Sequence, residues 1–347
     1  MAPSPRTINI INIPSDIGSM YAGKSRAPAA FASAGLQRKL QAAGHPIKEY
    51  GAFSPFTTGK HPPVTTTVWK PSSRQPNGAR NEKETVEACH RVKTTITSAL
   101  SDSNPRVNTR EDGIQTPEFQ LILSGECLYT PAILSAYAHH FNPPSPPCTP
   151  YPQAEAKIGI IYIDADTDLH TPADPAATGT IASMTLTHLT LRPGALASMT
   201  PFSLPNGSPV VDSSNIVLFG TNLHSPANQN PEHLAYLFDN GFRVITSDAV
   251  QKDAGGKAAE ALRWMEDRVD YFVVHLDVDV IDPGEFPLCN VPNWTGTAYE
   301  QVMASVRVFL GSRKVVALSV AEVNPDHDPG LGMTRRLVDD LVGALGG

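Results

Sequence analysis

Five aspartates crowd two short apolar segments: Asp164, Asp166 and Asp168 in IIYIDADTDLH, and Asp277 and Asp279 in YFVVHLDVDVIDP. Residues two apart on a strand face the same way, so Asp164 and Asp166 project together, as do Asp277 and Asp279. Asp168 stands where the first strand gives way to a loop. Runs as apolar as IGIIYI and YFVVHL read as strands buried on both faces. Carboxylates at the ends of such strands repel one another and lose hydration, so a cation must hold them. A divalent metal, or a pair, supplies that charge most simply. Helix N-termini, lysines and arginines are the alternative.

Strand and helix signals alternate along the chain. Strands are expected at Thr7–Ile13, Ile47–Tyr50, Phe119–Leu123, Lys157–Asp164, Ile216–Phe219, Arg243–Ile245, Tyr271–Asp277 and Val315–Glu322. Helices are expected at Ala27–Ala43, Glu82–Leu100, Thr130–His140, Ile181–Leu191, Pro231–Asn240, Lys257–Arg268, Tyr299–Leu310 and Arg335–Leu345. That rhythm predicts a parallel sheet with helices on both faces in a single domain over residues 1–347. Two stretches rich in Pro, Ser and Thr, Phe53–Arg80 and Asn142–Gln153, read as loop insertions at 53–80 and 142–153. Two further strands end in polar groups. FQLILSGE runs into Ser124-Gly125-Glu126-Cys127, and VVALSVAE ends at Glu322. Four strands thus carry polar side chains to the carboxyl edge of the sheet, where open α/β sheets place ligand sites.

The chain has 347 residues, 41% of them hydrophobic, enough for a large core. Its formal net charge of −7 argues against nucleic acid and anionic membrane as partners. No run of about eighteen apolar residues is present to span a bilayer, and the opening MAPSPRTINIINIPSD lacks the pattern of a secretory signal. Cys89, Cys127, Cys148 and Cys289 are scattered without CxxC spacing and read as free thiols of a reducing, cytoplasmic compartment.

The residues themselves resemble the ureohydrolases, the family of arginase and agmatinase, over almost the whole chain. IPSDIGSMYAG and KSRAPAAFASAGLQRKLQAAGH are similar to that family's opening strand, glycine loop and first helix. SGECL stands where the family has a GGDHS-like turn, and DADTDLHTP where it has DAHTDxNTP. HLDVDVIDPGEFPLCNVPNWTGTAYE is similar to SxDxDxxDPxxxPxTGTPxxGGLxxxE, and VAEVNPDHD to VEVNPxxD. The resemblance implies a three-layer α/β/α sandwich around a mostly parallel eight-stranded sheet. It also implies two manganese ions held by four aspartates and two histidines, with a bridging hydroxide as nucleophile, in a homo-oligomer (trimer or hexamer).

Carried onto this chain, the four aspartate ligands match Asp164, Asp168, Asp277 and Asp279. Neither histidine is kept: Cys127 and Asp166 stand in their places. The family's proton-shuttling histidine falls near Ala182, and the glutamate that engages a planar guanidinium resembles Glu322. His170 replaces the asparagine that follows arginase's last metal aspartate, and GTNLHSP replaces an arginine-bearing GxRDxDP. Cysteine ligates as thiolate, which favours zinc or iron(II) over manganese. Six such ligands would carry about six negative charges against four in the family, quenching the Lewis acidity of two divalent ions. One ion, with an aspartate protonated or otherwise paired, is the alternative.

The leading expectation is therefore a metal-dependent hydrolase of a linear C–N bond in a guanidino, amidino or similar planar nitrogen group of a small molecule other than arginine, through metal-bound hydroxide. Asp168, His170 and Glu322 are its catalytic candidates, with His170 as the replacement acid/base and Glu322 as the anchor of the cationic group. His170, His224 and Glu322 are its substrate contacts, and a specialised metabolic setting fits the divergence. Glu322 has a plainer alternative, a strand-end carboxylate paired with Arg335 or Arg336. Two other functions stay open: a catalytically inactive binding or regulatory protein, and a single-metal lyase or isomerase.

Overall fold

The computed structural model describes residues 6–53, 73–103, 117–143 and 155–346. Eight strands, β1 (Ile8–Ile13), β2 (Ile47–Gly51), β3 (Phe119–Ser124), β4 (Ile158–Ile163), β5 (Ile216–Thr221), β6 (Arg243–Thr246), β7 (Tyr271–Asp277) and β8 (Val315–Ala321), form one sheet. Their spatial order is β2-β1-β3-β8-β7-β4-β5-β6. Every neighbouring pair is parallel, so the sheet is wholly parallel where the sequence predicts it mostly so. The last two strands enter between two three-stranded halves. The four strands with polar ends, β3, β8, β7 and β4, are consequently side by side at the centre.

The described helices are α1 (Ala27–Ser33), α2 (Leu36–Ala42), α3 (Glu82–Ser101), α4 (Thr130–Phe141), α5 (Thr185–Leu189), α6 (Pro231–Asp239), α7 (Ser247–Lys252), α8 (Ala254–Glu266), α9 (Tyr299–Leu310) and α10 (Gly332–Gly346). Alternating strand residues feed two cores. Ile161 and Ile163 of β4 pack with residues of α1, α2 and α7–α10, while Ile160 and Tyr162 pack with those of α3–α6. A three-layer α/β/α sandwich results. The six inner strands are buried along their whole length, as continuous apolar runs require, and the edge strands β2 and β6 are half-buried.

Several boundaries differ from expectation for local reasons. The predicted Ala27–Ala43 helix breaks at Gly35, whose φ of 86° lies in the left-handed region. The Ile181–Leu191 segment yields only the short α5, preceded by a 3-10 turn over Ala182–Met184. The short helix α7 is additional, and α8 begins before Lys257 because the Asp253 side chain caps the N–H of Gly256 at 2.9 Å. Most of the predicted loops 53–80 and 142–153, and Cys148 with them, lie outside the described residues. Within the first, Arg74 and Arg80 form an antiparallel bridge. The described cysteines are free thiols. No described helix is long and apolar enough to cross a membrane.

Candidate metal centre

At the end of β3 the chain turns through Ser124-Gly125. A Cβ on Gly125 would stand 2.0 Å from the carbonyl oxygen of Ser15, so the opening loop approaches too closely for any other residue. Glu126 turns away and accepts hydrogen bonds from Ser19 Oγ (2.7 Å) and the N–H of Gly18 (3.2 Å). Burial pushes its carboxyl up to about 8. Cys127 begins the 3-10 turn that leads into α4. Its N–H donates to Glu322 Oε1 (3.3 Å), and its Sγ lies 3.7 Å from Asp168 Oδ2 and 3.6 Å from the carbonyl of Ala182. Burial, then Asp168, raises its thiol pKa well above the ordinary range, so without a metal it is a neutral donor.

The two aspartate pairs are not set by strand alternation. β4 stops at Ile163, and Asp279 lies in a 3-10 turn over Val278–Val280 beyond the end of β7. Instead the first carboxylate of each pair caps the backbone two residues on. Asp164 Oδ1 accepts the N–H of Asp166 at 2.7 Å, and Asp277 Oδ1 accepts that of Asp279 at 2.9 Å. These Asx turns bring both pairs to the same cavity while bending the chain out of the sheet. Asp279 also ties the two strand ends together, accepting from the N–H of Ala165 (3.3 Å) and from Asn293 Nδ2 (3.0 Å). Asp166 accepts from Ser225 Oγ at 2.9 Å. Asp168 takes φ 49° and accepts from the Tyr162 phenol at 2.7 Å, with its carboxyl pushed up to about 8 by burial. Asp164, Asp277 and Asp279 are raised well above the carboxylate range by burial and then by a neighbouring aspartate.

A cavity of about 810 Å³ collects these groups. Its lining holds all five aspartates, Cys127, Glu322 and His170, with Lys24 as the single Lys or Arg among the described residues. One ligand atom each from Cys127, Asp277 and Glu322 falls within 4.8 Å of the others, and the same is true of Asp164, His275 and Asp277. Six buried or half-buried carboxylates facing one ammonium is the charge balance expected of a divalent-metal site. The oxygen-rich donor set, with one sulfur, therefore fits such an ion.

His170 is held as expected of a directed imidazole. Its Nδ1 lies 2.7 Å from Asp174 Oδ2, and its ring meets that of the buried His233 edge-on at 4.8 Å. His224 is corrected: its side chain is 64% exposed, its Nε2 lies 3.5 Å from Asp248, and it is not on the cavity lining. Glu322 lines the cavity, with the left-handed φ of 67° at the end of β8, and each of its oxygens already has a protein partner. Oε2 is ion-paired with Lys24 and Oε1 accepts the N–H of Cys127. Arg335 and Arg336, the alternative partners, bond the carbonyl of Gly330 and the carboxylate of Glu300 instead. Lys24, Asp174 and His275 are site neighbours that the sequence reading does not single out. His275 was open to it, since two residues before Asp277 on one strand is the same face. Asp174 stands four residues after His170. Lys24 offers only the oddity of a lysine in a loop of small residues.

A sequence profile of the Arginase family matches residues 6–346. An arginase of Staphylococcus aureus is 23% identical over 326 residues, covering 92% of this chain and 91% of that protein. Among solved structures, the arginase of Bacillus caldovelox superposes with a TM-score of 0.74 at 20% identity, covering 99% of both chains. The formimidoylglutamase of Bacillus subtilis does so with a TM-score of 0.67 at 16% identity, covering 99% of this chain and 87% of that one.

Proposed function

The chain belongs to the arginase family, and from that premise we propose that it is a metal-dependent hydrolase of a linear C–N bond in a small molecule with a planar nitrogen group. The observation that carries this is the convergence of Asp164, Asp166, Asp168, Asp277, Asp279 and Cys127 on one cavity with, among the described residues, a single lysine to balance them. Proteins named for two different C–N substrates, an arginase and a formimidoylglutamase, share the fold. Arginine itself is not the proposed substrate, because His170 and GTNLHSP stand where the resemblance implies head-group contacts.

Those six residues would hold the ion or ions, manganese by resemblance or zinc or iron(II) by the softness of a Cys127 thiolate. A bound divalent metal supplies Lewis acidity and a water more acidic than bulk. The protein's own residues do the rest. Asp168 Oδ2 accepts from the Tyr162 phenol, which fixes the carboxylate plane against the end of β4. In the overall hydrolysis a water oxygen joins the planar carbon, the C–N bond breaks, and the departing nitrogen gains a proton. His170 sits on the lining with Nδ1 engaged by Asp174, which leaves Nε2 as its exchangeable position. It is the group placed to move that proton, in the part that Ala182 cannot play.

The test is amine, ammonia and urea release from a panel of guanidines, amidines, formimino compounds, ureas and amides, with and without added manganese, zinc or iron(II). Metal-dependent release from any member, lost in Asp277→Ala, is the expected result. A metal-loaded protein that releases nothing across the panel contradicts the hydrolase and favours a binding protein.

A further inference from the structure

Lys24 belongs to the loop after β1, yet its side chain is only 3% exposed and reaches across to the far end of the chain at Glu322. Gly23 makes this reach possible. Its φ of 120° is closed to other residues, and a Cβ there would stand 2.3 Å from Asn324 Oδ1, two residues beyond Glu322. The loop is also clamped from below, where Asp16 Oδ2 accepts the N–H of Gly23 at 2.9 Å and that of Ser25 at 3.3 Å. The ammonium therefore sits in a built seat, with the buried Glu126 as a second nearby carboxylate.

Beside the candidate metal ligands, the charged pair on the described lining is Lys24–Glu322, which is neutral as a unit. Among the described residues, and apart from His170, the rest of that wall is uncharged, including Met20, Tyr21, Thr180, Ala182, Asn290 and Val291. A guanidinium or amidinium arriving there would be buried beside an ammonium, with the adjacent carboxylate already taken. An ammonium has three N–H donors, and Glu322 occupies one. The others suit a carbonyl oxygen.

We propose that Lys24 sets the substrate class, making this a site for a neutral planar C–N group, a ureido or carboxamide function, in place of a guanidinium. This rests on the cavity being the C–N hydrolase site described above, and it is a statement about binding, so it can be read without turnover.

The experiment is calorimetric titration of the protein as purified with matched pairs that differ only in the group, an N-alkylurea against the N-alkylguanidinium of the same alkyl chain. The wild type is expected to bind the urea at least ~10-fold more tightly, and Lys24→Met, which frees Glu322, to reverse that ratio. A wild type that binds the guanidinium equally well or better overturns the proposal, as does a folded Lys24→Met protein with an unchanged ratio. Should Lys24→Met not fold, the wild-type ratio and that of Lys24→Gln decide. A urea preference in a protein that hydrolyses nothing leaves the role of Lys24 standing and removes the hydrolase; hydrolysis with a guanidinium preference does the reverse.

Discussion

The phenol of Tyr162 donates to Asp168 Oδ2 over 2.7 Å, linking the inside of β4 to the turn that follows it. Asp168 holds a left-handed backbone with φ 49°, a conformation that costs a non-glycine residue on the order of 1 kcal/mol. The hydrogen bond helps to over-determine that bend and aims the carboxylate. Tyr162→Phe should therefore weaken divalent-metal binding about 10- to 100-fold, the usual effect of losing a partner behind a ligand. Stability should fall by only about 1 kcal/mol. Metal titration beside urea melts separates the two effects. An unchanged metal affinity would mean that Asp168 is not a ligand positioned in this way.

His170 and Asp174 make a second prediction. If the imidazole carries the proton to the departing nitrogen, His170→Asn lowers kcat about 100-fold or more. Asp174→Asn lowers it about 10-fold by releasing the ring, with KM and metal content nearly unchanged in both. A loss of metal in either variant would instead join His170, Asp174 and His233 to a metal site of their own.

A third prediction concerns stability alone. His188 is buried on α5 and neither ring nitrogen has a hydrogen-bond partner. Burial lowers its pKa to about 4 from an ordinary 6.5. A depressed folded pKa means the unfolded chain binds the proton first. The stability is thus whole above about pH 6.5 and is lost as pH falls through 4, by about 3 kcal/mol in all. His188→Leu should flatten that part of the acid limb and hold or raise the melting temperature at neutral pH. An acid limb unchanged from the wild type would refute the assignment to His188.

Much of this architecture is legible in the sequence because local pattern and global fold agree. β7 and α9 have the limits that the sequence pattern predicts, whereas the central, adjacent placement of the four polar-ended strands comes from the sheet order and not from any one strand's pattern. The convergence of the five aspartates was legible too, although the cause was not. Alternation on a strand explains neither pair, since backbone-capping turns at Asp164 and Asp277 place them. What stayed hidden depends on contacts that no local pattern encodes. Lys24 and Glu322 are 298 residues apart and meet only because β1 and β8 both flank β3. His224 looked close to the site by resemblance, but the loop after β5 turns it outward to Asp248.

A divalent-metal centre built from five aspartates and Cys127 should show itself in metal analysis of protein purified without added metal, wild type beside Cys127→Ser and Asp277→Ala. Expected are about one or two divalent ions per chain in the wild type, near-complete loss in Asp277→Ala, and a shift from zinc or iron toward manganese in Cys127→Ser. A metal-free wild type that binds none of these ions on titration, and whose melting temperature neither variant alters, would contradict it.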